Sequence, residues 1–68
     1  MQNTIRIERA ILDITQDELA GQIGVSRQTI SSIEKNRYVP STILALRISE
    51  VFNKSVNELF VLEEPDRC

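Results

Sequence analysis

The chain has 68 residues, 8 basic and 10 acidic, for a net charge of −2, and 41% of its residues are hydrophobic. That length fits one small domain, and so many aliphatics beside 26% charge argue against disorder. A single cysteine, Cys68, permits no internal disulfide, and the lack of histidine leaves no zinc-ligand set. No apolar run approaches the ~18 residues of a membrane helix. Residues 1–10 carry charge where a signal peptide needs an apolar stretch. The expectation is a soluble, cytoplasmic protein with no cofactor, metal or small-molecule ligand. A chain this short rarely supplies more than ~3–5 kcal/mol of net stability alone, so pairing with itself is the expected stabiliser.

Charge is unevenly spread. Residues 1–25 sum to −2, residues 26–54 to +3 and residues 55–68 to −3. A basic middle between acidic flanks can turn one face to phosphates while the molecule as a whole stays acidic.

In chain order, Ile7, Ala10, Ile11 and Ile14 recur at i, i+3, i+4 and i+7, which predicts a first helix over residues 5–12 with that stripe in the core. Thr15 and Glu18 form a capping box for a second helix over residues 16–23, with Ile14 and Leu19 at staple spacing. Leu19, Ala20 and Ile23 give that helix a short apolar face, and Gly24 can take the left-handed conformation that ends it. Ser26 then caps a third helix whose apolar anchors are Val25, Ile30 and Ile33; Arg27, Gln28, Thr29, Ser31, Ser32 and Glu34 make it polar over most of its circumference. Residues 36–40 form a loop closed by Pro40 before the Ser41 cap. The most apolar helix follows over residues 42–52, with Ile43, Leu44, Leu46, Ile48, Val51 and Phe52. Ser55 and Glu58 form a second capping box and open a short fifth helix through Leu59. Phe60, Val61 and Leu62 are β-prone, are stopped by Glu63, Glu64 and Pro65, and have the Met1-Gln2-Asn3 end as the expected strand neighbour.

Two short helices joined by a tight turn, the second polar on its outward side, are the physical recipe for a helix-turn-helix. Ala20 is small where the helices must approach, and Gly24 permits the turn. The outer edge of the second helix then offers Arg27, Gln28 and Ser32. Arginine and glutamine are the side chains best shaped to bond guanine and adenine edges in the major groove.

Residues 16–35, QDELAGQIGVSRQTISSIEK, resemble the helix-turn-helix of the Cro/repressor (XRE) family. Thr15-Gln16, Leu19-Ala20, Gly24-Val25-Ser26, Thr29-Ile30, Ile33-Glu34 and Pro40-Ser41 all fall in the family register, and the likeness covers nearly the whole chain. Ile7-Glu8 departs from the commoner polar-then-Leu order of the first helix. The resemblance implies an all-α, five-helix, lambda-repressor-like domain over residues 1–68, with a small terminal two-stranded β-element. It also implies a homodimer on double-stranded operator DNA. By the same resemblance Arg27, Gln28 and Ser32 match base-contacting positions. Gln16, Ser26, Lys35, Asn36, Arg37 and Tyr38 match phosphate contacts, and Arg9 with Glu34 matches a structural ion pair. Dimerisation is expected over residues 51–64, with Phe60 and Leu62 in the interface.

The expected function is a sequence-specific transcriptional regulator, a repressor on a palindromic operator, associated with the nucleoid through DNA. Two alternatives remain open: an antitoxin-type module with the acidic tail Glu63-Glu64-Pro65-Asp66 as its partner surface, and a restriction-modification controller. An enzyme is not expected, because there is no histidine, no nucleophile–base pair and no phosphate loop.

Overall fold

Four hydroxyl caps and four left-handed residues punctuate the chain. The computed structural model describes residues 1–67, and Cys68, expected to be no more than a terminal thiol, lies outside them. The elements run β1 (Gln2–Asn3), α1 (Ile5–Leu12), α2 (Gln16–Ile23), α3 (Arg27–Glu34), α4 (Thr42–Phe52), α5 (Val56–Leu59) and β2 (Phe60–Val61), followed by a 3-10 turn at Glu64–Arg67. The fold is therefore mostly helical, with five α-helices and one small sheet among the described residues.

Thr15, Ser26, Ser41 and Ser55 each accept a backbone amide three residues on, in Glu18, Thr29, Leu44 and Glu58. Glu18 and Glu58 reach back to the cap amides at 2.9 Å, completing both capping boxes. Asp13, Gly24, Asn36 and Asn53 all have positive φ, between 52° and 76°, and turn the chain out of four successive helices. Gly24 is legible as such a terminator, since glycine takes this conformation without cost. The two asparagines and the aspartate do the same work because their short polar side chains tolerate it.

Ile5, Leu19, Ile23, Ile30, Ile33, Ile48 and Leu59 form the fully buried centre, with Ala20, Leu44, Ala45, Phe52 and Phe60 around them. β1 and β2 pair antiparallel, Gln2 opposite Val61 and Asn3 opposite Phe60, and the Thr4 amide donates to the Leu59 carbonyl at 3.0 Å. This stitch brings residues 2–4 against residues 59–61 beside the core.

The structure corrects one expectation. Of the expected stripe, Ile14 packs against the core, but the part on α1 is turned outward: Ile7 and Ile11 are 60% and 68% exposed, and Ala10 is exposed as well. The buried side holds Ile5 and Glu8. Periodicity alone could not choose between the two sides of an eight-residue helix with aliphatics on both. The rotation is fixed by the β1 stitch that plants Ile5 in the core, and by polar ties. Lys54 Nζ donates to Glu8 Oε2 at 2.8 Å, so the buried carboxylate is paired. The acidic tail stays exposed but is tied to the start of the chain. The Met1 ammonium lies 2.9 Å from Glu63 Oε1 and 2.7 Å from Asp66 Oδ2, closing the end of the sheet.

Candidate nucleic-acid interface

The outward face of α3 begins at Ser26, whose Oγ accepts from the Thr29 amide at 3.2 Å and shares a hydrogen bond of 2.9 Å with the Thr29 hydroxyl. With that cap fixed, Ile30 and Ile33 fall inward, 0% and 1% exposed, and clamp the helix to α2 and the core. The helical period then leaves Arg27 and Gln28 exposed on the opposite side, with Ser32 half-buried one turn further on. Among the described residues no hydrogen bond or ion pair engages the side chains of Arg27 and Gln28.

Past α3 the backbone makes a Schellman turn. The Asn36 amide donates to the Ile33 carbonyl at 3.0 Å and the Arg37 amide to Ser32 at 2.9 Å, with Asn36 at φ 61°. Asn3 locks this turn from β1: its Nδ2 donates to the Ile33 carbonyl at 2.8 Å and to Asn36 Oδ1 at 3.1 Å. The turn presents Lys35, Arg37 and Tyr38, all exposed, just beyond α3.

The other flank is organised around Glu34, whose side chain is only 7% exposed. Arg9 donates to it in a fork, Nε to Oε2 at 2.6 Å and Nη2 to Oε1 at 3.1 Å. Gln16 Nε2 donates to the same Oε1 at 3.2 Å. The remaining arm of the guanidinium donates to the Ile14 carbonyl at 3.1 Å, tying α1 to the entry of α2. The hydrogen bonds to Glu34 raise the pKa of Arg9 above its ordinary value, so the charge of the fork is fixed. Gln16 is thereby held half-buried at the amino end of α2, where unpaired amides and the helix dipole favour an anion.

Two shallow hollows result, one on each side of α3. Gln28, Ser32, Arg37 and Tyr38 line one, with Ser26 and Thr29 at its edge. Arg6, Arg9, Gln16, Ser31, Glu34 and Lys35 line the other, and Arg27 stands beside Thr15, Gln16 and Asp17. The base-contacting and phosphate-contacting candidates thus converge on a single face. Phe60 and Leu62 lie elsewhere: Phe60 is 8% exposed in the core and Leu62 is 50% exposed. Sequence reasoning overlooked three residues here. Arg6 and Ser31 join the second hollow through a helix-to-helix approach that no local pattern marks, and Asn3 acts across 30 residues of sequence.

Such a face, polar, cationic at its edges and carried by a rigid short helix, is what insertion into a major groove needs. Comparison with known proteins agrees with this geometry. The helix-turn-helix family model matches residues 5–59. An uncharacterised HTH-type transcriptional regulator of Methanocaldococcus jannaschii is 41% identical over 66 residues, covering 97% of this chain and 100% of its own. A second, from Bacillus subtilis, is 42% identical over 64 residues, covering 94% of this chain and 97% of its own. The ImmF control region 10 kDa protein of Bacillus phage phi105 is 37% identical over 59 residues, covering 87% of this chain and 66% of its own. With its motif, fold and relatives in accord, the chain belongs to the XRE-type helix-turn-helix family of DNA-binding transcriptional regulators.

Proposed function

We propose that the protein is a repressor that binds a palindromic operator as a homodimer, each protomer placing α3 in the major groove. The observation that carries this reading is the free, outward pair Arg27 and Gln28 between two polar hollows. Arg27 and Gln28 read base edges, with Ser32 a shorter third contact. Gln16, Ser26, Lys35, Asn36, Arg37 and Tyr38 hold the phosphates on either side, Asn36 chiefly through the turn it forms. Among the described residues no helix is long and apolar enough to cross a membrane, and a cytoplasmic, nucleoid-bound location fits this function. The phage relative named for a control region supports a role in gene control.

The dimer surface is proposed at the apolar groove lined by Met1, Pro40, Ala45, Leu46, Val56 and Phe60. Val39, Ile43, Leu46 and Leu62 stand exposed, at 67%, 73%, 51% and 50%. Leu62 follows β2 directly, one residue past Val61. The segment 51–64 therefore contributes the floor and one rim, and the first turns of α4 contribute the other. Aliphatic area of this extent, left bare, marks an interface.

The test is selection of bound duplexes from a random library, followed by a reporter carrying the recovered site across its promoter. The expected result is an inverted repeat with half-sites ~34 Å apart and reduced reporter output when the protein is present. Recovery of a non-repeated motif would overturn the dimeric reading, and increased output would overturn repression.

A further inference from the structure

We infer that Asn3 is a positioning residue for DNA binding: from β1 it holds the turn after α3 in the shape that delivers Lys35 to one side of that helix and Arg37 to the other. The inference rests on the proposed phosphate contacts of those two residues. Every side chain from Lys35 to Val39 is exposed, so packing does not fix the turn. Asn36 within it sits at φ 61°, a conformation that asparagine tolerates without strongly preferring. Among the described residues, Asn3 supplies the hydrogen bonds that reach this turn from another element. Its Nδ2 donates to Asn36 Oδ1 at 3.1 Å and to the Ile33 carbonyl at 2.8 Å, the same carbonyl that accepts the Asn36 amide at 3.0 Å. Its Oδ1 accepts the Ile5 amide at 3.2 Å. Both amide protons of Asn3 are thus engaged inside the protein, so its effect on DNA passes through the turn.

The strand behind Asn3 is itself fixed. Asn3 lies opposite Phe60 in the sheet, and the Thr4 amide donates to the Leu59 carbonyl at 3.0 Å. Phe60 and Leu59 are both buried, so a turn on the surface is referred to the core through one side chain. What the turn carries makes that link matter. Lys35 lines the hollow that contains Gln16, whereas Arg37 and Tyr38 line the one that contains Gln28 and Ser32. The hollows lie on opposite sides of α3, so one displacement of the turn misplaces cations on both. A cation already held in place meets a phosphate without first losing backbone and rotamer freedom; on a loose turn that loss falls at the moment of binding. Phosphates carry no sequence, so the loss is the same on every duplex.

The probes are the selected duplex and a scrambled one, titrated at low salt. Asn3→Thr and Asn3→Asp are each made in the native chain and in the Lys35→Ala/Arg37→Ala background. Asn3→Thr is neutral, suits a strand and is too short to reach the turn. Asn3→Asp keeps the shape and the acceptor for the Ile5 amide but turns the donor into a second acceptor. Circular dichroism melting confirms that each variant is folded at the assay temperature. Both changes should weaken binding to both duplexes about 5–20-fold, while the motif recovered from a random library stays the same. In the Lys35→Ala/Arg37→Ala background they should weaken it less than about twofold, because the groups that Asn3 positions are gone. A loss that came through the fold alone would appear at full size in both backgrounds. Hydrogen exchange of the Asn36 and Arg37 amides should quicken about tenfold or more, with α4 unchanged. Affinity within about twofold of wild type, or an equal loss in both backgrounds, would overturn the positioning role and leave the proposed phosphate contacts intact. If Lys35→Ala/Arg37→Ala bound the scrambled duplex as tightly as wild type, those contacts would fall and the inference with them.

Discussion

Arg27 and Gln28 differ from Lys35 and Arg37 in what surrounds them, and the difference should appear as two kinds of binding loss. Arg27 and Gln28 stand exposed in the first turn of α3, Arg27 toward α2 and Gln28 toward Ser32, and in the proposed complex their planar, multi-donor side chains discriminate base edges. Arg27→Ala or Gln28→Ala should each cost about 1–3 kcal/mol on the selected site and relax preference at one or two positions of the recovered motif. Lys35 and Arg37 stand beyond the helix, at its edges. Lys35→Ala or Arg37→Ala should weaken all duplexes alike and lower the salt dependence of binding by about one counterion for each phosphate left unpaired. Salt titration on selected and scrambled duplexes separates the two patterns. Glu34 acts at the same scale but on stability. Its nearly buried carboxylate satisfies both Arg9 and Gln16, so Glu34→Ala leaves a desolvated guanidinium unpaired and should cost about 3–5 kcal/mol in urea unfolding. The double change Arg9→Met with Glu34→Leu should recover most of that loss, because it removes the charge as well as its partner.

At the scale of elements, the caps were more legible than the faces. Thr15, Ser26, Ser41 and Ser55 announce helix starts because a hydroxyl three residues before a free amide is a local feature, and local features survive into the fold. The pairing of Met1-Gln2-Asn3 with the strand at Phe60 was legible for a different reason, since a lone β-prone segment after five helices has few other neighbours. The orientation of α1 was not legible. It depends on Ile5 being planted by β1 and on the Glu8–Lys54 pair, which joins residues 46 apart in sequence. Nor was the grip of Glu63 and Asp66 on the Met1 ammonium, because a run of acids reads equally well as solvated surface. The left-handed terminators were half legible: Gly24 by its chemistry, Asn36 and Asn53 only by what the backbone does there. These positions make a graded prediction. At Gly24, φ 76° strains any side chain, yet an added Cβ would meet nothing nearer than Arg47 Nη1 at 3.9 Å. Gly24→Ala should therefore cost about 1–2 kcal/mol of strain without a clash. Asn53→Ala should cost a similar or smaller amount. Asn36→Ala should cost more than Asn53→Ala, because it also removes the acceptor that Asn3 uses. Urea unfolding of the three variants gives the order.

At the scale of the whole molecule, the clasp between Met1 and the acidic tail bears on stability, and the apolar groove bears on the proposed assembly. The Met1 amine has its pKa raised above 8.0, first by the Asp66 hydrogen bond and then by that from Glu63. The amine in turn lowers Glu63 and Asp66 below 4.5 and 3.8. A raised amine stabilises the fold fully below its ordinary value and loses that effect as pH climbs through the folded one. Lowered carboxyls stabilise above their ordinary values and lose the effect as pH falls through the folded ones. Unfolding at a series of pH values should thus show the clasp contributing between 4.5 and 8.0 and fading on either side, with acetylation of the amine removing the alkaline decline. The groove beside that clasp carries the assembly prediction. Phe60 belongs to the core, so deleting the C-terminal strand would damage the protomer along with any interface, and a surface substitution is the cleaner probe. Ile43 and Leu46 are 73% and 51% exposed on α4, so charge placed there costs the protomer little. Two copies of I43E/L46E would instead bring four carboxylates together in a desolvated contact. Sedimentation should then show the variant as a folded monomer at concentrations where wild type is a dimer. Its affinity for the inverted repeat should fall about 100-fold or more, while affinity for an isolated half-site stays near that of a single wild-type protomer. A variant that remains dimeric would move the interface away from α4.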